Sequence, residues 1–394
     1  MEKEKVSQAI NILNETDTHT DLWMVIDQES EVLSDPVMDF ILGTGVTWLS
    51  FFLFFRTGET YAIVGNLDIE KIKRKNLFTE IFSYKGSPRE DLLQLLRKHN
   101  PKKIAIDYSL DAPSADGLTH GRYLRLLELL KDTDFADRLV SAEGIIAKLR
   151  GRKSAEEIRR IKKAIEVTLQ LYNLVSIHVK PGMTEKEVAH FLSGERMKTG
   201  LGNAWEEDSC PSVFAGPQET GAHSGPTDKP LERGQVVNMD YGLKYEKYCS
   251  DLQRTWYILN EGETQPPTEV MKGFDTIVTS IQMAFDAMKP GVTGYEIDQI
   301  ARNYIVSQGY KEYPHGLGHQ VGRSPHDGSA MLAPDWERYG KLPFLPLEEG
   351  QVFTIEPRLY IPQGVVTIEE MVVITPNGAE WLSKPQREIY LIKG

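Results

Sequence analysis

The chain has 394 residues, enough for two or three domains, and its 40% hydrophobic and 26% charged content is that of an ordinary globular protein. Its 45 Lys and Arg against 57 Asp and Glu leave a formal net charge of −12, which argues against non-specific nucleic-acid binding, because that needs a basic surface. Two cysteines, Cys210 and Cys249, are too few for a secreted disulfide framework, and the charged start, Met1 to Lys5, has no apolar signal core, so the expected compartment is the cytoplasm.

In chain order, Leu22 to Ile26 reads as a strand. The apolar stretch from Phe40 to Phe55 is interrupted by Gly43, Thr44, Gly45, Thr47 and Ser50. It falls short of the roughly 20 apolar residues that cross a membrane, so it is read as a buried strand. Its continuation to Val64 folds back around Arg56-Thr57-Gly58-Glu59 as a hairpin. Ser87-Pro88 opens a helix to about Lys98, with Pro88 at a tolerated first-turn position, and Lys103 to Tyr108 reads as a second buried strand. With no phosphate-binding glycine loop in this αβ alternation, residues 1–150 are expected to form a structural or oligomerisation domain without chemistry of its own.

A boundary falls near Gly151-Arg152-Lys153, and 154–394 forms the second domain. Ser154 with Glu157 is a capping-box signature, followed by an apolar stripe of Ile158, Ile161, Ile165, Leu169 and Tyr172. From here the chain repeats itself. Lys180-Pro181-Gly182-Met183-Thr184 recurs 109 residues later as Lys289-Pro290-Gly291-Val292-Thr293. Leu231-Glu232-Arg233-Gly234-Gln235-Val236 recurs 116 residues later as Leu347-Glu348-Glu349-Gly350-Gln351-Val352. The seven added residues fit within Met331 to Phe344, read as an inserted loop. Two copies of a helix, a Pro-Gly stop, a helix and strands predict a pseudo-two-fold α+β domain rather than a solenoid.

The repeat places acids in matching positions. Asp240 ends the strand from Val236 and Glu356 ends its partner from Val352. Asp251 follows 11 residues after Asp240, and Glu369 follows 13 after Glu356. These odd spacings across a hairpin permit one shared face. Taken singly, Asp240 can be a turn acid, Glu356 a surface strand end and Glu369-Glu370 a solvated pair. Taken together, four converging carboxylates repel one another, and two divalent cations would neutralise them. His315, His319 and His326 crowd into the same region, with glycines that allow a close approach to a ligand, and His223 is a further single candidate.

This set resembles the metallopeptidases of methionine aminopeptidase, prolidase and aminopeptidase P, with the pita-bread fold. The match covers about residues 154 to 390. It runs through His223, Met239-Asp240-Tyr241-Gly242, Ser250-Asp251-Leu252-Gln253-Arg254-Thr255, the stretch His315-Gly316-Leu317-Gly318-His319, His326, Ile355-Glu356-Pro357 and Ile368-Glu369-Glu370. The domain before it favours the prolidase and aminopeptidase P branch. The resemblance implies that Asp251 and Glu369 bridge two metal ions, that Asp240 chelates one, and that His319 and Glu356 hold the other. His319, not His315, takes this place because it lies seven residues before His326. Oxygen-rich ligation with one imidazole suits Mn, Co, Fe or Zn.

The reaction so implied is hydrolysis of the N-terminal residue from Xaa-Pro peptides, with a water bridging the two cations as nucleophile. Glu356 serves as general base and then acid, and His223 and His326 bond the carbonyl or oxyanion. The partner is a small peptide, and the family suggests a homodimer. Two positions depart from the pattern: Arg358 replaces the usual Gly after Glu-Pro, and Thr367 replaces the usual Arg before the bridging Glu. A cation for the substrate carboxylate is then to be sought in Arg358, with Arg323 and Arg338 as substitutes. These departures keep open a same-fold hydrolase or lyase of a small non-peptide metabolite. A non-catalytic binding protein would be expected to have lost ligands that all stand here.

Overall fold

The computed structural model describes residues 1–15, 17, 19–217 and 225–393. By its internal contacts the chain divides into two units, Met1–Arg150 and Gly151–Gly394. Among the described residues, no helix is long and apolar enough to cross a membrane.

The first unit is built on a six-stranded sheet whose spatial order is Glu80–Tyr84, Thr60–Gly65, Ser50–Phe55, Leu22–Asp27, Ile104–Ile106 and Leu139–Ser141. The three central strands are antiparallel to their neighbours in the trio and buried along their whole length. That burial on both faces explains their near-continuous apolar runs. The hairpin expected at 56–59 is present. The strand expected over 40–55 begins only at Ser50, because Met38–Ile41 is a helical turn. Gly43 then takes φ +64°, which an extended chain cannot accommodate, and the Asp68 carboxylate holds the next segment through Thr47 N–H at 2.8 Å.

Beneath this sheet lie two buried acids, Asp35 and Asp107, each 2% exposed. Trp23 Nε1 donates to Asp107 Oδ1 at 2.6 Å and Val37 N donates to Asp35 Oδ1 at 2.9 Å, while neither Oδ2 has a donor. Burial and mutual repulsion push Asp107 well above the usual carboxylate range, and burial pushes Asp35 up to about 6. Both folded values exceed the unfolded ones. The folded state therefore binds more protons, and its stability falls as pH rises from the unfolded range through the folded values. Asp107→Asn keeps the acceptor for Trp23 and supplies a permanent donor. It should raise stability by about 1–3 kcal/mol at pH 8 and by much less at pH 5. Thermal unfolding at the two pH values checks this, and an equal effect at both would contradict it.

In the second unit the repeat is visible in the hydrogen bonds. Helices Ala155–His178 and Glu185–Thr199 correspond to Thr268–Ala287 and Gly294–Ser307. Capping boxes form at Ser154/Glu157, Thr184/Glu187 and Thr293/Glu296. Gly182 and Gly291 share φ +90°, and their N–H groups bond Leu231 O at 2.8 Å and Leu347 O at 2.9 Å. Gly234 N bonds Ile258 O at 2.8 Å, as Gly350 N bonds Ile374 O at 2.9 Å. Each copy then contributes an antiparallel pair: Val236–Tyr241 with Leu252–Ile258, and Val352–Ile355 with Glu370–Thr375. One apolar core runs beneath, with Phe274, Ile277 and Ile297 from the helices against Phe353, Ile355 and Val372 from the strands.

The segment Met331 to Phe344 is more than a surface loop. Arg338 donates to Pro314 O at 2.8 Å, Tyr339 Oη accepts from Gly316 N at 3.0 Å, and Leu332 exchanges backbone bonds with Gly318. It therefore buttresses the glycine-rich histidine stretch.

Candidate metal centre

Each hairpin presents one acid where the chain leaves its first strand and one where it enters the second. Asp240 lies near the end of Val236–Tyr241 and Asp251 immediately precedes Leu252–Ile258. Glu356 immediately follows Val352–Ile355 and Glu369 immediately precedes Glu370–Thr375. All four line one cavity of about 360 Å³, together with His319, His326 and, on the wall, Trp205, Glu206, Ser209 and Pro325.

The His319 imidazole is aimed at the acids. Its Nε2 lies 3.2 Å from Glu356 Oε1, 3.9 Å from Asp251 Oδ2 and 4.0 Å from Glu369 Oε1. Its Nδ1 lies 3.1 Å from Pro325 O, a contact that puts the neutral ring's proton on Nδ1 and leaves the Nε2 lone pair for the cavity. Its backbone is held by Thr354, whose Oγ1 accepts from His319 N at 3.1 Å. Gly318 is required beside it, since a Cβ there would stand 2.1 Å from Thr354 O.

The electrostatics follow from burial. Desolvation and neighbouring carboxylates push Asp240 and Glu369 well above the usual range and Asp251 up to about 7. Burial pushes Glu356 up, but the hydrogen bond to His319 and the charges of His319, His315 and His326 together outweigh this and hold it at about 2, with His319 raised in return. Asp240 Oδ1 and Glu369 Oε2 are buried without any hydrogen-bond donor. Buried polar atoms are rarely left so, and a divalent cation is the partner this donor set fits. Ligand atoms of Asp251, His319 and Glu369 lie within 4.8 Å of one another.

The remaining sequence candidates fall as follows. His326 reaches the cavity, its ring 4.1 Å from that of His319 in an edge-on arrangement. His315 does not line it; its Nδ1 lies 2.7 Å from Gly316 O, its ring is 5.2 Å from Tyr313, and burial lowers its pKa. His223 lies outside the described residues. Arg358 is only 5% exposed, faces Thr367 across the pair Arg358–Ile361 with Gly364–Thr367, and is absent from the cavity lining; its charge opposes the rise of Asp240. Arg323 bonds Tyr248 Oη at 3.1 Å and Arg338 is spent on Pro314 O. Glu369 and Glu370 are not a solvated pair: both are 1% exposed, and Glu370 turns to Arg254 at 3.0 Å.

Other supporting residues carried no sequence argument. Asp298 Oδ1 accepts from Leu317 N at 3.0 Å, and Arg302, paired to Asp298, donates to Tyr313 O and His315 O at 2.8 and 2.7 Å. Their i,i+4 spacing was the available signal. Trp205 had none.

Comparison with known proteins agrees with this geometry. Residues 159–376 match the model of metallopeptidase family M24. A Xaa-Pro dipeptidase of Pyrococcus horikoshii is 34% identical over 266 residues, covering 67% of this chain and 71% of that protein. The solved X-Pro aminopeptidase of Thermotoga maritima superposes with a TM-score of 0.72 at 26% identity, over 95% of this chain and 98% of that one. A Xaa-Pro dipeptidase of Bacillus anthracis shares the fold, with a TM-score of 0.75 at 22% identity and full coverage of both chains. The pita-bread architecture with a preceding domain is thus the fold of this chain.

Proposed function

The chain belongs to metallopeptidase family M24, and from that premise we propose that it is a metal-dependent exopeptidase that releases the N-terminal residue of Xaa-Pro peptides. The observation that carries this reading is the convergence of four carboxylates and one imidazole on a single cavity, two of the acids having orphaned buried oxygens. The family relatives named for Xaa-Pro substrates supply the substrate class. Asp240, Asp251, His319, Glu356 and Glu369 hold two divalent cations, of Mn, Co, Fe or Zn. The enzyme acts in the cytoplasm as a homodimer.

When bound, the cations neutralise the carboxylates, polarise the scissile carbonyl and lower the pKa of the attacking water. Glu356 takes the proton from that water and returns it to the leaving nitrogen. His326, and His223 with it, donates to the oxygen on which negative charge develops. His319 stays oriented through Pro325 O and Thr354.

A proline nitrogen offers no N–H, so recognition rests on ring shape and on what lies beyond it. Arg358 is the cation we assign to the free carboxylate of a dipeptide. Arg358→Met should raise KM for Xaa-Pro dipeptides more than for their C-terminal amides. Equal effects on both would leave Arg358 as a counter-charge to Asp240 only.

The test of the proposal is a substrate panel with Mn²⁺, Co²⁺ or Zn²⁺ added: Xaa-Pro dipeptides, longer Xaa-Pro peptides and N-terminal Met peptides. Cleavage at Xaa-Pro, with dipeptides favoured, is expected. No hydrolysis of any Xaa-Pro peptide by the loaded protein would refute it.

A further inference from the structure

We propose that Gln253 is a positioning residue whose side-chain amide holds the Glu356 carboxylate in its cation-binding arrangement, and that Thr367 fixes which way that amide faces. The inference rests on the reading of the cavity as a metal centre. Gln253 is 1% exposed, in the strand Leu252–Ile258, directly opposite Asp240. Its Nε2 donates to Glu356 Oε2 at 3.3 Å. Its Oε1 accepts from Thr367 Oγ1 at 3.2 Å.

A primary amide has two N–H donors at one end and only an acceptor at the other. With the Thr367 hydroxyl on Oε1, the N–H end of the amide turns toward Glu356. The reversed amide would set an oxygen against the Glu356 carboxylate. The frame around this contact is pinned. Glu369 N donates to Gln253 O at 3.1 Å, and Thr367 O accepts from Asn238 Nδ2 at 2.8 Å and also from Thr255 Oγ1.

The other half of the pseudo-symmetric pair supplies the control. Asp251 and Glu369 are matching acids, so Gln253 matches Met371, each two residues further on. Met371 Sδ lies 3.3 Å from Asp251 N. A methionine thus fills the equivalent place in one half, and Gln253→Met removes the amide while nearly keeping the volume. Amides and hydroxyls of this kind orient metal-binding side chains, and their loss typically weakens metal binding by about 10–100-fold.

The experiment measures Mn²⁺ affinity by chelator competition and the thermal midpoint of the metal-free protein, for wild type, Gln253→Met, Thr367→Val and Thr367→Ser. We expect Gln253→Met to weaken Mn²⁺ binding by about 10–100-fold with little change in the metal-free midpoint. Thr367→Val should lose less, in the same direction, and Thr367→Ser should retain wild-type affinity. Wild-type Mn²⁺ affinity in Gln253→Met overturns the inference, as does a weakening matched by an equivalent fall of the metal-free midpoint. A wild-type protein that takes up no Mn²⁺ instead overturns the reading of the cavity itself.

Discussion

Asp251→Ala should strip the protein of at least one of the two cations proposed for it and abolish turnover, and Glu369→Ala should do the same. Both acids stand at the start of the second strand of their hairpins, and both present an oxygen near His319 Nε2. Removing either takes away a formal charge that the cations need and leaves the remaining ligands too few. The loss is several kcal/mol of charge stabilisation in the transition state, so the rate should fall by more than about 10³-fold. The folded state should survive the change, because in the metal-free protein burial and crowding already push both acids toward their neutral forms. Elemental analysis of the purified variants decides the matter. Two full equivalents of metal in Asp251→Ala would remove it from the ligand set.

The three neighbouring histidines should separate cleanly. His319→Ala should lower metal content, since its Nε2 faces the acids while its Nδ1 is held at Pro325 O. His326→Ala should keep the metals yet slow the reaction by about 10²-fold or more, the scale of losing one oxyanion donor. It lines the cavity with its ring edge-on to that of His319. His315→Ala should retain the metals, because that ring lies off the cavity wall against Tyr313. Metal content and kcat on the same preparations test all three. Metal loss in His315→Ala without loss in His319→Ala would reverse their roles.

What was legible in the sequence was local or repeated. Capping boxes and Pro-Gly stops declare themselves within a few residues, so the helix start at Ser154 and the turns at Gly182 and Gly291 could be read directly. Because a symmetric fold needs matching signals in both halves, a shift of 116 residues also aligned Asp240 with Glu356 before any contact was known. What was not legible depends on partners distant in the chain. Gln253 and Thr367 meet across 114 residues, and nothing near either one announces it. The burial of Arg358 depends on its pairing opposite Thr367, and the composition of the strand says nothing of whether its guanidinium reaches substrate. At Phe40 an apolar run suggested extension, but a helical turn buries such a side chain equally well.

The most direct measurement is the rate of proline release from Ala-Pro by one preparation in three states: as purified, after chelation and dialysis, and after restoring Mn²⁺ or Co²⁺. Activity that disappears on chelation and returns with the cation, in step with metal content, is the predicted result. Proline release that persists in protein shown to be metal-free would contradict the account.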